Sequence, residues 1–240
     1  MDMIDQFIDK KRVFQDVVET GTCLSAGQIS SFNRDGYLVI RGAMPPAELV
    51  PLRAAADQLF AGIEGEWIGG PELRDSRLAR YSQSDIVRGV IGDLNGESAV
   101  LLGFLYRKQR SYPQPKQWHQ DAVYWDHSDG RIMALFTPLT PIHADNGALH
   151  IIPGSHRLGR LFHRPAQNNY SLYCDASPFR DPHVIELEPG DVMALHGLTL
   201  HYSPENPSDQ DRINFGLHFY NVETKIVRDE PTAVLYEGAV

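Results

Sequence analysis

The run Trp118-His119-Gln120-Asp121 places an imidazole and a carboxylate two positions apart. On an extended strand, residues i and i+2 project from the same face, so His119 and Asp121 would stand side by side. One His and one Asp are two of the three ligands of the facial triad with which non-haem Fe(II) oxygenases hold iron and leave coordination positions open. Alone, His-x-Asp arises often by chance. The histidines add weight: of ten, nine fall from His119 to His201 and none precedes His119. A third ligand must be a distant residue that the fold brings close, and His196 and His201 are candidates. If 199–203 is extended, Thr199, His201 and Ser203 share one face, while Leu198, Leu200 and Tyr202 form a core face. His196 ends the preceding strand and reads better as a structural, hydrogen-bonded histidine.

Arg212 opens a second informative run. Ile213, Phe215, Leu217 and Phe219 alternate as one apolar face, which leaves Arg212, Asn214, Gly216 and His218 on the other. A guanidinium directed into a pocket suits a carboxylate, which it can grip by two parallel hydrogen bonds, and a dicarboxylate cosubstrate would supply one. The competing expectation is a surface pair with Asp209 or Asp211.

These side chains need a scaffold. Ser25 to Asn33 reads as a short helix stopped by Asp35-Gly36, and Tyr37 to Ile40 as a short strand. Pro45-Pro46 then opens a helix whose Leu49, Leu52, Ala55, Leu59 and Phe60 share a face. Residues 1–24 are expected to be mildly helical, and the N-terminal helical segment of about 1–62 is expected to be peripheral. Residues 61–95 read as loop with short elements, a natural place for a lid. From Ala99 onward, short β runs alternate with turn residues: Ala99–Tyr106, Ile132–Leu139, Ala148–Ile152, Val184–Leu187, Val192–Leu195, Leu198–Ser203 and Arg212–Val222. Strands at this spacing predict a sandwich or barrel. No composition break divides the 240 residues, so a single domain is expected.

Composition excludes several classes. The formal net charge is −9 and no basic run exceeds Lys10-Lys11-Arg12. Nucleic-acid binding, which needs a basic face to release counterions, is not expected. No stretch approaches the ~20 apolar residues that span a bilayer, so no membrane partner is expected. Cys23 and Cys174 are isolated, and no apolar run follows the acidic first residues, so the expected location is the cytoplasm. Nothing here fixes an oligomeric state.

Taken in order, three blocks resemble one family. They are Trp118-His119-Gln120-Asp121-x-x-Tyr124-Trp125, then Asn146-Gly147-Ala148-Leu149-x-x-x-Pro153-Gly154-Ser155-His156. The third is Gly190-Asp191-x-x-x-x-His196-x-x-x-x-His201-x-Ser203-x-x-Asn206, closed by Arg212. With Phe32-x-x-Asp35-Gly36-Tyr37, the pattern resembles the phytanoyl-CoA dioxygenase (PhyH) family of Fe(II)/2-oxoglutarate-dependent oxygenases, from Phe32 to about Tyr220. The resemblance implies a mainly β (α+β) chain: a double-stranded β-helix, or cupin-like jelly roll, with flanking N-terminal helices.

It also implies Fe(II) held by His119, Asp121 and His201, and 2-oxoglutarate gripped by Arg212 with help from Ser203. Gln120, Phe104 and Phe136 match positions that line this pocket in relatives. His156 matches a recurrent position that is not a ligand. The implied reaction uses O2 and 2-oxoglutarate to hydroxylate a C–H bond of a small molecule, releasing succinate and CO2. Halogenating relatives carry a small residue where Asp121 stands, so halogenation is not expected. Tyr106, Tyr124 and Trp125, with Phe136, are candidates for the substrate wall; plain barrel core is the alternative for them. Segments 61–95 and 157–183 are expected to shape the substrate mouth, where Arg157, Arg160, Arg164 and Arg180 meet either an anion or solvent. Two other functions compete: a non-catalytic jelly-roll binding module and a His2Asp zinc hydrolase. The first predicts loss of a ligand or of Arg212; the second does not account for Arg212 and Ser203.

Overall fold

The computed structural model describes residues 8–9, 23–125, 131–165 and 172–224. Four helices precede the β core. Helix α1 (Ala26–Asp35) starts at a capping box, Ser25 with Gln28, and stops at Gly36. Gly36 takes the left-handed conformation (φ 78°) that a residue with a Cβ adopts only under strain. Strand β1 (Tyr37–Ile40) follows, then α2 (Pro46–Phe60), β2 (Trp67–Gly69), α3 (Ser76–Ser82) and α4 (Asp85–Asn95). The other strands of the two main sheets are β3 (Ser98–Lys108), β4 (Lys116–His119), β5 (Ile132–Pro138), β6 (Leu149–Ile151), β7 (His183–Ile185), β8 (Val192–His196), β9 (His201–Ser203) and β10 (Arg212–Asn221).

Two antiparallel sheets face each other. The larger has the order β1-β8-β5-β10-β3-β2, and the smaller β7-β6-β9-β4. This is the double-stranded β-helix that the resemblance implied, within the sandwich or barrel class that the strand spacing predicted. Alternation sorts each strand of the larger sheet between two cores. Val192, Ala194, Met133, Leu135, Phe215 and Leu217 pack outward beneath the helices. Met193, Leu195 and Ala134 point inward, against Ile151, Ile185 and Leu187.

The segment expected to be a loop with a lid is different. Residues 76–95 are two helices, with Leu78, Val87, Val90, Ile91 and Leu94 buried in the outer core. Asp75 and Ser84 cap them. In α4 the i, i+3, i+4, i+7 spacing of the apolar residues is the signal that was missed. Helices α1 and α2 are likewise integral to that core rather than peripheral, with Ile29, Phe32, Leu52 and Ala55 fully buried. The expectation for 1–24 lies almost wholly outside the described residues; Ile8–Asp9 pairs with Arg160–Leu161 as a short strand. Within 198–203 only the last three residues form a strand, because Thr199 turns to donate its hydroxyl to the Gly36 carbonyl (2.8 Å). Neither cysteine is in a disulfide, and no described helix is long and apolar enough to cross a membrane.

Candidate active site

Strands β4 and β9 are antiparallel neighbours, and His119 lies directly opposite His201. Their ring centroids are 4.2 Å apart. Each ring is fixed from behind: Nδ1 of His119 is 2.6 Å from the Gln117 carbonyl, and Nδ1 of His201 is 3.0 Å from the Thr199 carbonyl. A carbonyl only accepts, so both Nδ1 atoms donate, and both Nε2 atoms carry a free lone pair.

Asp121 joins them by a turn rather than by a continued strand. Gln120 keeps an extended backbone (φ −112°, ψ 132°), so the alternation holds for one step. Asp121 then begins a 3₁₀ turn to Tyr124, anchored where the Ala122 amide donates to the Gly197 carbonyl (2.8 Å). Oδ1 of Asp121 lies 3.5 Å from His119 Nε2 and 3.6 Å from His201 Nε2. The ligand atoms of all three buried residues fall within 4.8 Å of one another, and they form a group that could hold a metal ion. Burial, aided by His201, pushes the His119 imidazole down to about 3. Burial alone would raise Asp121, but the imidazoles of His201, His119 and His218 outweigh it and hold the carboxylate well below its usual range. His119 and Asp121 therefore stay unprotonated at neutral pH, as metal binding requires.

Gln120 is a correction. Its side chain faces away from the cavity, donating to the Gly159 and Leu198 carbonyls (2.9 and 2.6 Å) and accepting from the Leu161 amide (2.8 Å). A buried amide with all its bonds made to backbone is a brace for this turn, not a pocket wall.

Arg212, at the start of β10, is buried in the same cavity. Nη1 donates to the Gly147 carbonyl and lies 3.5 Å from Ser203 Oγ, and Nε has no hydrogen-bond partner. The alternative pairing with Asp211 is lost, because that carboxylate accepts the Arg110 amide (2.9 Å). Lys108 was missed. It pairs with Arg212 across β3 and β10, is fully buried, and reaches Ser203 Oγ (3.0 Å) and the Ser203 and Pro204 carbonyls. Burial, with Arg212 beside it, lowers the Lys108 ammonium to about 7. Its signal was parity: Phe104, Tyr106 and Lys108 share one face of β3.

Between the sheets lies a cavity of about 350 Å³. Phe104, Tyr106, Tyr124, Trp125 and Phe136 all line it, together with the triad, Ser203 and Arg212. The mouth differs from expectation. Of 61–95 only Glu66 and Trp67 contribute, and no described residue of 157–183 does; Tyr112, Gln114, Pro115 and Lys116 take that place. The four arginines are not gathered there. Arg157 grips the Asn33 carbonyl (2.7 Å), Arg160 faces that of Val123, Arg164 stacks on Phe162, and Arg180 binds Ser177 and Phe179 carbonyls. His196 and His156 are structural, as read: His196 accepts the Leu198 amide (3.1 Å), and His156 bonds the Asn33 carbonyl (3.2 Å).

His218 is the second missed residue. The alternation put it on the Arg212 face, and it lines the cavity with Nε2 3.2 Å from Asp121 Oδ2. Its ring stacks on Phe104 (centroids 5.1 Å) and tilts against Trp125 (4.7 Å).

Comparison with known proteins places this geometry. The family model "Phytanoyl-CoA dioxygenase (PhyH)" matches residues 82–214, more than half of the chain. The ectoine dioxygenase of Nocardia farcinica is 28% identical over 157 residues, which cover 54% of this chain and 50% of that one. The chain thus matches only half the length of that relative. The phytanoyl-CoA dioxygenase domain-containing protein 1 of Bos taurus is 22% identical across 82% of this chain and 90% of its own. Among solved structures, EctD from S. alaskensis with 2-oxoglutarate and 5-hydroxyectoine superposes with a TM-score of 0.75 at 21% identity, covering 90% of this chain and 85% of that one.

Proposed function

The chain belongs to the phytanoyl-CoA dioxygenase family of Fe(II)/2-oxoglutarate oxygenases, and we propose that it hydroxylates an unactivated C–H bond of a small molecule. The observation that carries this reading is the convergence of His119, Asp121 and His201 in a cavity that also holds Arg212. The residues fit the two groups the reaction needs. Two neutral imidazoles and one carboxylate suit iron and leave positions open on one side. The guanidinium of Arg212, whose buried Nε has no hydrogen-bond partner, is a cation that fits a carboxylate. The described residues are read as one oxygenase domain.

His119, Asp121 and His201 would hold the iron. Arg212 would bind the distal carboxylate of 2-oxoglutarate by charge-assisted hydrogen bonds, with the Ser203 hydroxyl beside it and the Lys108 charge behind. The far end of the cosubstrate is thereby fixed and its keto-acid end directed toward the triad, so orientation comes from binding. When bound, the iron supplies O2 activation driven by oxidative decarboxylation of 2-oxoglutarate to succinate and CO2. The chain's own part is placement and dryness. Phe104 and Phe136 pack edge-to-face (centroids 6.1 Å) beside the Arg212 pocket, and Tyr106, Tyr124 and Trp125 wall the substrate space. Excluding water there protects the reaction from side chemistry.

The test is a coupling measurement. Fe(II), 2-oxoglutarate and O2 should together yield succinate, and Asp121→Ala should abolish that yield while leaving the circular dichroism of the folded protein unchanged. Full succinate formation by the Asp121→Ala protein would overturn the reading.

A further inference from the structure

We propose that Lys116 receives a carboxylate of the substrate, so that this enzyme acts on small carboxylic acids with an apolar or aromatic body. The inference rests on the assignment of the cavity as the iron and 2-oxoglutarate site.

Lys116 opens β4, three residues before His119, and lines the same cavity as the triad. Its ammonium lies 3.2 Å from the Tyr124 hydroxyl and 5.2 Å from the centre of that ring. The Tyr124 hydroxyl is pinned by the Leu172 amide (3.3 Å), and the Tyr124 ring meets His119 edge-on at 6.0 Å. The cation is therefore held one ring away from the metal-binding histidines.

No carboxylate among the described residues pairs with it. Asp121 acts on it only at a distance, and the oxygens of Asp121 face His119, His201 and His218. The other acid of the wall, Glu66, is engaged by the Tyr112 hydroxyl and by the charges of Lys108 and Arg107. Lys116 is half-buried in this wall, and that burial lowers its proton affinity. A half-buried charge with only a hydroxyl beside it gains from a ligand that supplies the counter-ion the protein lacks.

Filling the site does not remove the need. Two charges on iron, one on Arg212 and one on Lys108 are offset by Asp121, Glu66 and the two carboxylates of 2-oxoglutarate, which leaves Lys116 without a counter-ion. A single compact ammonium, with no arginine fork or cradle of backbone amides around it, suits a singly charged carboxylate better than a phosphate. Beyond it the wall is apolar, with Trp125, Phe136, Leu102 and Leu149. The ligand class is then an acid at one end and a hydrophobic or flat body at the other.

The experiment uses protein loaded anaerobically with Fe(II) and 2-oxoglutarate and compares acid–amide pairs: indole-3-acetate with its amide, and 3-phenylpropanoate with its amide. Binding is followed by tryptophan fluorescence. At least one acid should bind about tenfold or more tightly than its amide. Lys116→Met should reduce that preference to within about twofold, and Lys116→Arg should keep most of it. Equal binding of acid and amide, weak or strong, or a preference that survives Lys116→Met, overturns the assignment. The iron–2-oxoglutarate absorption band is recorded in the same samples. Its absence in the parent protein would instead count against the metal and cosubstrate reading.

Discussion

Nε2 of His218 lies 3.2 Å from Oδ2 of Asp121, on the opposite oxygen from the one that faces His119 and His201. A carboxylate accepts, so His218 donates from Nε2, and the aromatic stack of Phe104 and Trp125 holds its ring for that bond. Each oxygen of Asp121 thus has its own direction, Oδ1 toward the imidazole pair and Oδ2 toward His218. Groups that orient a metal ligand in this way fix its geometry and tune its affinity for the metal. His218→Phe should weaken Fe(II) or Co(II) binding by roughly 10- to 100-fold. His218→Gln, which keeps a donor, should recover part of it. Equal metal affinity in all three proteins, measured by calorimetric titration, would remove His218 from this role.

Arg212 makes a different prediction because it is not a ligand. Arg212→Met should raise the 2-oxoglutarate concentration needed for half-maximal succinate formation by roughly ten- to a hundredfold, the loss expected for a charged hydrogen bond. Metal affinity should be unchanged. If the requirement stays the same, the cosubstrate is held elsewhere.

Lys108 gives a pH signature. Its ammonium titrates near 7 in the folded protein against an ordinary value of 10.5. Between those values the unfolded chain binds more protons, so stability should rise with pH from about 7 to 10.5. Urea unfolding of the metal-free protein should show this gain, and Lys108→Met should flatten it. A dicarboxylate arriving beside Arg212 favours the charged lysine, so 2-oxoglutarate binding at pH 8 should take up a proton. Calorimetry in buffers of different ionisation enthalpy would detect it; a buffer-independent heat contradicts the assignment.

Gly216 tests the wall. It pairs with Phe104 across β3 and β10, and a Cβ there would stand 2.1 Å from the Phe104 ring. The absent side chain is what lets Phe104 lie flat enough to stack on His218. Gly216→Ala should cost about 1–3 kcal/mol by overpacking. Chemical denaturation checks this, and a variant as stable as the parent would mean that Phe104 moves freely.

Much of this site was legible in the chain before its structure. Strand parity put His201 and Ser203 on one face of their strand and Arg212 opposite the apolar face of its own, and His-x-Asp named two members of the triad. What parity could not supply was context. It put His218 beside Arg212 without saying that the bend after Gln120 would bring Asp121 to it. It put Lys108 beyond the apolar run Ala99–Tyr106, where a lysine reads as a strand end in solvent. Gln120 was placed in the pocket by resemblance; its identity as an amide between two backbone segments emerges only when Gly159, Leu161 and Leu198 are near it. Helices α3 and α4 escaped because glycines and charges broke the pattern around a short apolar repeat.

The central claim is that iron and 2-oxoglutarate bind together at His119, Asp121, His201 and Arg212. The measurement is an anaerobic titration of metal-free protein with Fe(II) and then 2-oxoglutarate, watched in the visible range. The account predicts a charge-transfer band that needs both additions, fades when O2 is admitted and leaves succinate. A folded, iron-bound protein that shows no such band would contradict it and reduce the family likeness to a likeness of fold.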